Sequence, residues 1–306
     1  MEKRFDLLVV GELNPDLILS GDVIPEFGQV EKLVKDSALT IGSSSAIFAC
    51  QAARLGLRVA FVGRIGQDEF GYFMLRSLAD HNVDTSGVIV DPKERTGFSV
   101  ILNLGNDRAI LTFPGAIPSI KMSDVRSGVI AQARHLHVGS YYLQTVLRPD
   151  VPALFDFAHH LGMTTSLDTN YDPDERWDSG LRDALKRADV FLPNATEARA
   201  ITGKQDLDEA LADLAGISGC VTVKMGADGA IARKVDEVAR AQALTVQVVD
   251  TVGAGDSFDA GFIYGYIKHW SLERSLKLGS VCGSLSTRSF GGTAAQPDLE
   301  EAQGYL

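Results

Sequence analysis

The chain has 306 residues, 45% of them hydrophobic, with 30 glycines against 10 prolines: enough to bury one large core, and too apolar for a disordered or fibrous chain. A formal net charge of −11 and the lack of any run of Lys or Arg argue against a nucleic-acid partner or an anionic membrane surface. Three widely spaced cysteines, Cys50, Cys220 and Cys282, form no CxxC pair and fit reduced packing residues of a cytoplasmic protein.

The amino-terminal "MEKRFDLLVVGELNPDL" reaches acids and polar groups too soon after its apolar run to be an export signal. Its "FDLLVVGEL" is the first strand-like run, ending near Asn14 and Asp16. Residues 17–40 then read as extended strands with turns, before the helical pattern "AIFACQAARLG". The stretch from there through "LRVAFVG" is broken by Arg54 and Arg58 and is no membrane span. "VAFVGRIG" is the next strand, with Gly63 and Gly66 at its end, and residues 96–113 again look extended. In that stretch "LGNDRA" is a hairpin signal, with Gly105, Asn106 and Asp107 supplying the turn. Further on, the strand-like runs "HLHVGSYY", "MTTSLDTN", "VFLPN" and "VTVKMG" are spaced by helical patterns such as "LRDALKRA".

The alternation predicts an α/β fold with a mostly parallel central sheet and helices on both faces. Functional groups in such folds gather at the carboxyl ends of the strands, where Asp168, Asn170 and Asn194 fall. The two extended segments, about 14–40 and 96–115, cannot easily join a parallel sheet and predict a small β-sheet lid on a single domain spanning 1–306. Edge strands in such a lid invite pairing with a second copy, predicting a homodimer through the lids.

The stretch "DTVGAGDSFDAGF" (250–262) carries the chemistry. "VQVVD" reads as a strand ending at Asp250, and Gly253 and Gly255 allow a tight loop before a helix whose Phe258, Phe262 and Tyr266 share one face. Unpaired amides at that helix start suit an anion. Asp256 has two readings there: a helix-capping acid, or the base that takes a proton from an alcohol while the Gly253, Ala254 and Gly255 amides stabilise a transferring phosphoryl group. No GxxxxGK[ST] loop is present, "TGKQ" at 202–205 lacking the earlier glycine.

This stretch resembles the DTxGAGDxFxxGF signature of the ribokinase family, also called the phosphofructokinase-B carbohydrate kinases. "VGRIGQDEFG" (62–71), "LPNATEARAITG" (192–203), "TVKMGADGA" (222–230) and the glycine pair 291–292 are similar to further family motifs, in family order over nearly the whole chain. The resemblance implies a ribokinase-like fold and an ATP-dependent kinase of a sugar or sugar-like polyol, phosphorylating a hydroxymethyl group with Asp256 as base. It implies ATP contacts at Asn194, Glu197, Lys224, Gly226, Gly229 and Ser280, with Mg²⁺ reached through water by Glu197. The alternatives are a solvated first-turn Glu197 and a Lys224 exposed at a strand end. Asp250 and Thr251 match a monovalent cation site and make K⁺ a candidate activator; Asp250 would otherwise only tie the loop. The NxD pair Asn14 and Asp16, together with Gly42, Ser43, Ser44, Asp168 and Asn170, falls where the family holds its acceptor.

Departures from the family pattern bear on the acceptor. Where ribokinases read GGKGAN, this chain reads "GSSSAI" (42–47), losing a lysine and an amide, which counts against ribose and against a phosphorylated sugar. Arg108 in the lid could reach an anionic group or lie in solvent. Asp172 stands where arginine is common, which counts against a keto-deoxy-gluconate acceptor, and Ser280 replaces the adenine-side asparagine. A nucleoside kinase, with a base stacked under Phe27, Phe98 or Phe113, is the close alternative; a non-catalytic relative is a more distant one. The six histidines form no metal-ligand pattern and are assigned to structure or surface.

Overall fold

The structure is a computed structural model that describes residues 3–104, 107–125 and 128–306, so the turn residues Gly105 and Asn106 lie outside the described residues. Strand β1 (Phe5–Val10) starts the core, and the chain leaves it at once for β2 (Pro15–Ser20) and β3 (Asp36–Ile41). Helix α1 (Ser44–Arg54) leads back to β4 (Val59–Val62), followed by β5 (Arg64–Gly66), α2 (Glu69–Asp80) and β6 (Ile89–Asp91). A second excursion forms β7 (Phe98–Leu104) and β8 (Asp107–Phe113). Then come α3 (Met122–Val125), β9 (Ala133–Val138), α4 (Val151–His160), β10 (Thr164–Leu167), α5 (Leu181–Leu185) and β11 (Val190–Phe191). Helices α6 (Ala195–Thr202) and α7 (Leu207–Ala215) precede β12 (Val221–Lys224), β13 (Ala230–Lys234) and β14 (Glu237–Ala241). The chain closes with α8 (Ala254–Ile267), α9 (Leu272–Ser286) and α10 (Leu299–Gln303).

The main sheet has eight strands in the order β14-β13-β12-β11-β10-β9-β1-β4, parallel from β4 to β12 and antiparallel at β13 and β14. Continuous apolar runs such as "FDLLVV" suit it, because both faces are covered. Leu7 and Val9 enter the layer shared with α1, α8 and α9, whereas Leu8 and Val10 enter the layer shared with α4, α5, α6 and α7. Each such side chain is removed from water, worth roughly 1.5–3 kcal/mol apiece. Cys50, Cys220 and Cys282 are free thiols buried in this packing, as expected of structural cysteines.

The two excursions form a separate four-stranded sheet, order β3-β2-β7-β8, in which β2 and β7 run parallel and the outer pairs antiparallel. The motif at 62–71 ties the second excursion to the core. Asp68 caps α2 through Gly71 N at 2.9 Å and also accepts from Thr96 N at 2.8 Å, while Thr96 Oγ1 accepts from Gly66 N at 2.9 Å.

One expectation fails here. "VQVVD" is not a strand: residues 242–250 run without sheet pairing beyond β14, and Val248 and Val249 are exposed. The apolar run lines a cavity instead of extending the sheet, and its end is held by Val249 N and Asp250 N donating to Thr287 O at 2.8 and 3.1 Å. His135 and His137 are buried on β9, where Ser166 Oγ lies 2.8 Å from a ring nitrogen of each, and burial depresses both rings to about 3. They are structural, as expected. No described helix is long and apolar enough to cross a membrane.

Candidate active site

A cavity of about 730 Å³ opens at the carboxyl ends of β10, β11 and β12, beside the start of α8. Parallel strands put their chain ends on one edge, so Asp168 and Asn170 after β10, Asn194 after β11 and Lys224 at the end of β12 converge there. Ser44, Arg108, Glu197, Gly226, Gly229, Thr251, Ala254, Gly255, Asp256 and Ser280 line the same cavity. Asn14, Asp16, Gly42, Ser43, Asp250 and Gly253 are not among the residues that line it.

The loop before α8 behaves as its glycines predict. Gly253 is the N-cap at φ 73°, and no side chain caps the helix. A Cβ at this position would also lie 2.7 Å from Gly292 Cα, so only glycine fits. No side chain caps this first turn, so the positive end of the helix dipole faces the cavity, with Ala254 N donating to Thr251 O at 3.3 Å. Asp250 ties the loop down: its two carboxylate oxygens accept from Val252 N and Gly291 N, both at 3.0 Å. Arg108, an exposed residue of β8, has Nη1 4.0 Å from Asp250 Oδ1 and lines the cavity.

Asp256 lies in the first turn of α8, half-buried. Burial, then Asp168 and Glu12, push its carboxyl up to about 7 against the opposing pull of Lys224 and Ser44.

Lys224 is no exposed strand-end lysine. Its ammonium is buried between Asp168 Oδ2 at 2.8 Å and Asp259 Oδ2 at 2.7 Å. Asp259, one turn beyond Asp256 on α8, has its other carboxylate oxygen buried without a hydrogen bond. Glu197 is likewise buried and not solvated. It forms a capping box with Asn194, accepting from Asn194 N at 2.9 Å, while Asn194 Oδ1 accepts from Glu197 N at 2.9 Å. Burial, then Asp168, pushes Glu197 up to about 7. The described residues hold no cluster of three or more His, Cys, Asp or Glu able to hold a metal.

On the small-sheet side, Asn14 Nδ2 meets Asp16 Oδ1 at 3.4 Å, and burial pushes Asp16 up to about 6. Gly42 packs against that carboxylate. Ser43, where the motif of similar chains has glycine, keeps a φ of 65°, a conformation costing on the order of 1–3 kcal/mol for a residue with a side chain. Two bonds hold it: Ser43 Oγ donates to Glu12 O at 2.5 Å and accepts from Ala46 N at 3.0 Å, capping α1. The far end of the cavity is lined by Leu244, Val246, Val248 and Phe258 with the hydroxyls of Ser280, Ser284 and Thr287. Ser280 Oγ is buried there without a hydrogen-bond partner. Of the aromatics considered for a stacked base, Phe98 and Phe113 lie 5.8 Å apart and Phe27 is 99% exposed.

Three residues escaped the sequence reading. Asp259 was legible as a third residue on the helical face of Asp256. Glu12, next to the noted Asn14, and Ser140 carried no such signal.

A mostly parallel sheet between helix layers with a small separate sheet is an α/β architecture shared with solved ribokinase-like proteins. Residues 4–299 match the pfkB family carbohydrate kinases, and the chain belongs to that family. Among curated relatives it is 27% identical to the ATP-dependent 6-phosphofructokinase of Thermoanaerobacterium thermosaccharolyticum, over 98% of this chain and 93% of that one. It is 28% identical to the 5-dehydro-2-deoxygluconokinase of Bacillus subtilis, over 100% and 97%. It is also 28% identical to the ATP-dependent ribose-1-phosphate kinase of Halopiger xanaduensis, over 98% and 97%. A putative ribokinase II from E. coli, solved with ATP and Mg²⁺, shares the fold at a TM-score of 0.87 with 22% identity and 98% coverage of both chains. A double-mutant fructokinase from Vibrio cholerae, solved with fructose, ADP and a potassium ion, superposes at 0.84 with 26% identity, covering 100% of this chain and 99% of that one.

Proposed function

We propose that this carbohydrate kinase phosphorylates a hydroxymethyl group of a sugar or sugar-like polyol, with Asp256 as the base and the Gly253, Ala254 and Gly255 amides as the anion hole. The observation that carries this reading is the Asp256 carboxyl, pushed up to about 7 at the mouth of an uncapped helix inside the cavity. A base poised near neutral pH both holds and releases a proton readily.

The cavity has room and donors for a nucleoside triphosphate: apolar walls and the unpartnered Ser280 hydroxyl at one end, helix amides at the other. ATP supplies the phosphoryl group, and magnesium supplies charge neutralisation between its phosphates. Without a preformed metal cluster, Glu197 and Asn194 fit a magnesium held by phosphates and reached through water. Gly226 and Gly229 border the nucleotide, and Lys224 lies beside Gly255, close to where phosphates would sit. On the acceptor side, Asp16 and Asn14 accept and donate to neighbouring hydroxyls, and Asn170 orients the sugar toward Asp256. A monovalent cation at the Asp250–Thr251 loop belongs to the same reading. The small sheet acts as a lid that keeps out water, a competing nucleophile.

The Asp16 carboxylate on the acceptor side, bonded to Asn14, favours a neutral polyol. Arg108 is the lid's contribution to a phosphate or acid such as the named relatives act on. A coupled assay with ATP and Mg²⁺ across neutral sugars, sugar acids, sugar phosphates and nucleosides tests this. A best acceptor among the nucleosides would overturn the sugar reading.

Two expectations follow. Activity should fall as pH drops through about 7, because protonated Asp256 cannot accept the acceptor's proton; kcat/KM then declines about tenfold per pH unit on the acid side. A profile flat from pH 6 to 8 would contradict this. The fully exposed β8, with Ile110 and Leu111 more than half exposed, supports a homodimer through the lids. Light scattering on a size-exclusion column should give twice the mass of the 306-residue chain, and Leu111→Lys should halve it.

A further inference from the structure

Glu12 is a buried carboxylate to which the proposed chemistry gives no task, and it ends a run of hydrogen bonds that starts in the cavity wall. Asn170 follows β10, Ser140 follows β9 and Glu12 follows β1, three strands that lie side by side in the main sheet. Asn170, in the cavity lining, donates from Nδ2 to Ser140 Oγ at 3.2 Å and to Ser44 Oγ, also in the lining, at 3.1 Å. Ser140 Oγ donates to Glu12 Oε1 at 2.9 Å. From its other side Glu12 receives two bonds from Ser45, from N to Oε1 at 3.3 Å and from Oγ to Oε2 at 2.6 Å. Glu12, Ser45 and Ser140 are all buried.

The bonds run in one sense. Asn170 Oδ1 accepts from Tyr171 N at 2.8 Å, which turns the NH₂ group toward the serines. Ser140 Oγ takes a hydrogen bond from that amide, so its own hydrogen goes to Glu12. The group at the end of the run therefore accepts on both oxygens, which a carboxylate can do and a side-chain amide cannot. Helix α1 has no acid in its own first turn, and Glu12 at Ser45 N supplies the negative charge that a helix start favours. The backbone is bent to fit: Ser140 and Asn170 hold φ of 50° and 53°, angles that non-glycine residues adopt only when their surroundings impose them. A Cβ at Gly11 would lie 1.9 Å from Ser45 Oγ, and one at Gly139 2.3 Å from it, so the ends of β1 and β9 leave just the room Ser45 needs to reach Glu12.

We infer that Glu12 is a positioning residue of the acceptor site: through Ser140 it fixes the amide of Asn170, and with it the hydroxyl of Ser44, at the cavity wall. This rests on the reading of Asn170 as a contact of the acceptor. Glu12 itself is too deeply buried to meet a sugar, and Ser140 is the link between it and the wall. Without an acceptor at Glu12, Ser140 loses the place for its hydrogen and no longer holds the Asn170 amide in one orientation. The cavity then offers an incoming hydroxyl a rotating group instead of a fixed one, and the cost falls on acceptor binding. The far, apolar end of the cavity, lined by Leu244, Val246 and Phe258, takes no part in the run.

The test is steady-state kinetics of Glu12→Gln, Ser140→Ala and Asn170→Ala, and of the first two combined with Asn170→Ala, using the best acceptor and ATP. Glu12→Gln keeps the shape but turns a donor toward a serine that is itself donating. Glu12→Gln and Ser140→Ala should each raise the acceptor KM about 5- to 10-fold, the order of one lost hydrogen bond, with the KM for ATP within about twofold of wild type. In the Asn170→Ala background neither should have a further effect, because both act through that amide. Variants that lose melting temperature but keep the wild-type acceptor KM would overturn the inference, leaving Glu12 a support of the fold. So would effects that multiply with that of Asn170→Ala. If Glu12→Gln does not fold, Ser140→Ala alone and with Asn170→Ala decides by the same two criteria. If Asn170→Ala keeps the wild-type acceptor KM, the reading of Asn170 falls and the inference with it; if it raises KM while the other two do not, only the positioning role falls.

Discussion

Asp256→Asn is expected to lower kcat by about 10²- to 10⁴-fold while ATP binding, followed by quenching of a fluorescent nucleotide, stays within about threefold. The substitution keeps size and helix position but removes the carboxylate proposed as the proton acceptor. Binding should survive because the helix amides, the Ser280 end of the cavity and Lys224 are untouched. Removing a negative charge beside phosphates could even tighten the nucleotide slightly. A fall in kcat confined to less than about fivefold would mean that the carboxylate orients rather than accepts, since positioning alone survives the amide better than proton transfer does.

Lys224→Met is expected to cost about 3–5 kcal/mol of stability, read from the urea midpoint at constant slope. Lys224 is the cation between two buried carboxylates, Asp168 and Asp259, which its loss leaves facing each other uncompensated. The pair Lys224→Met and Asp259→Leu should be more stable than the lysine variant alone, because an apolar pair of similar volume needs no counter-charge. A single-variant loss below about 1 kcal/mol would show that water, rather than protein, solvates these carboxylates. The two experiments separate the base proposed at Asp256 from the charge balance that Lys224 holds between Asp168 and Asp259.

Much of the scaffold was legible along the chain because parallel strands advertise themselves. Runs such as "FDLLVV" and "VTVK", spaced by helical patterns, could fit only a sheet covered on both faces, and the two misfit segments did become the separate small sheet. The loop at Gly253 was equally legible, since a positive φ before a helix demands glycine. What stayed hidden depends on which charges meet in space. Whether Lys224 faces solvent or two carboxylates is decided by β12 lying beneath α8, strands and helices apart in sequence. "VQVVD" misled because an apolar alternating run says only that one side is dry. Once β14 had closed the sheet's edge, that dry side became a cavity wall. The raised carboxyl of Asp256 was hidden for the same reason: a helix start can be read locally, whereas burial and the like charges of Asp168 and Glu12 cannot.

The parallel seam between β2 and β7 has a mechanical consequence. The small sheet is made of two excursions that leave the core about eighty residues apart, and the seam fastens them through Asp16 to Ser20 against Ser99 to Asn103. Neither flap can swing by itself without tearing that ladder. A hinge of this sheet would turn at the four crossings together, carrying Asp16 on one excursion and Arg108 on the other as one piece.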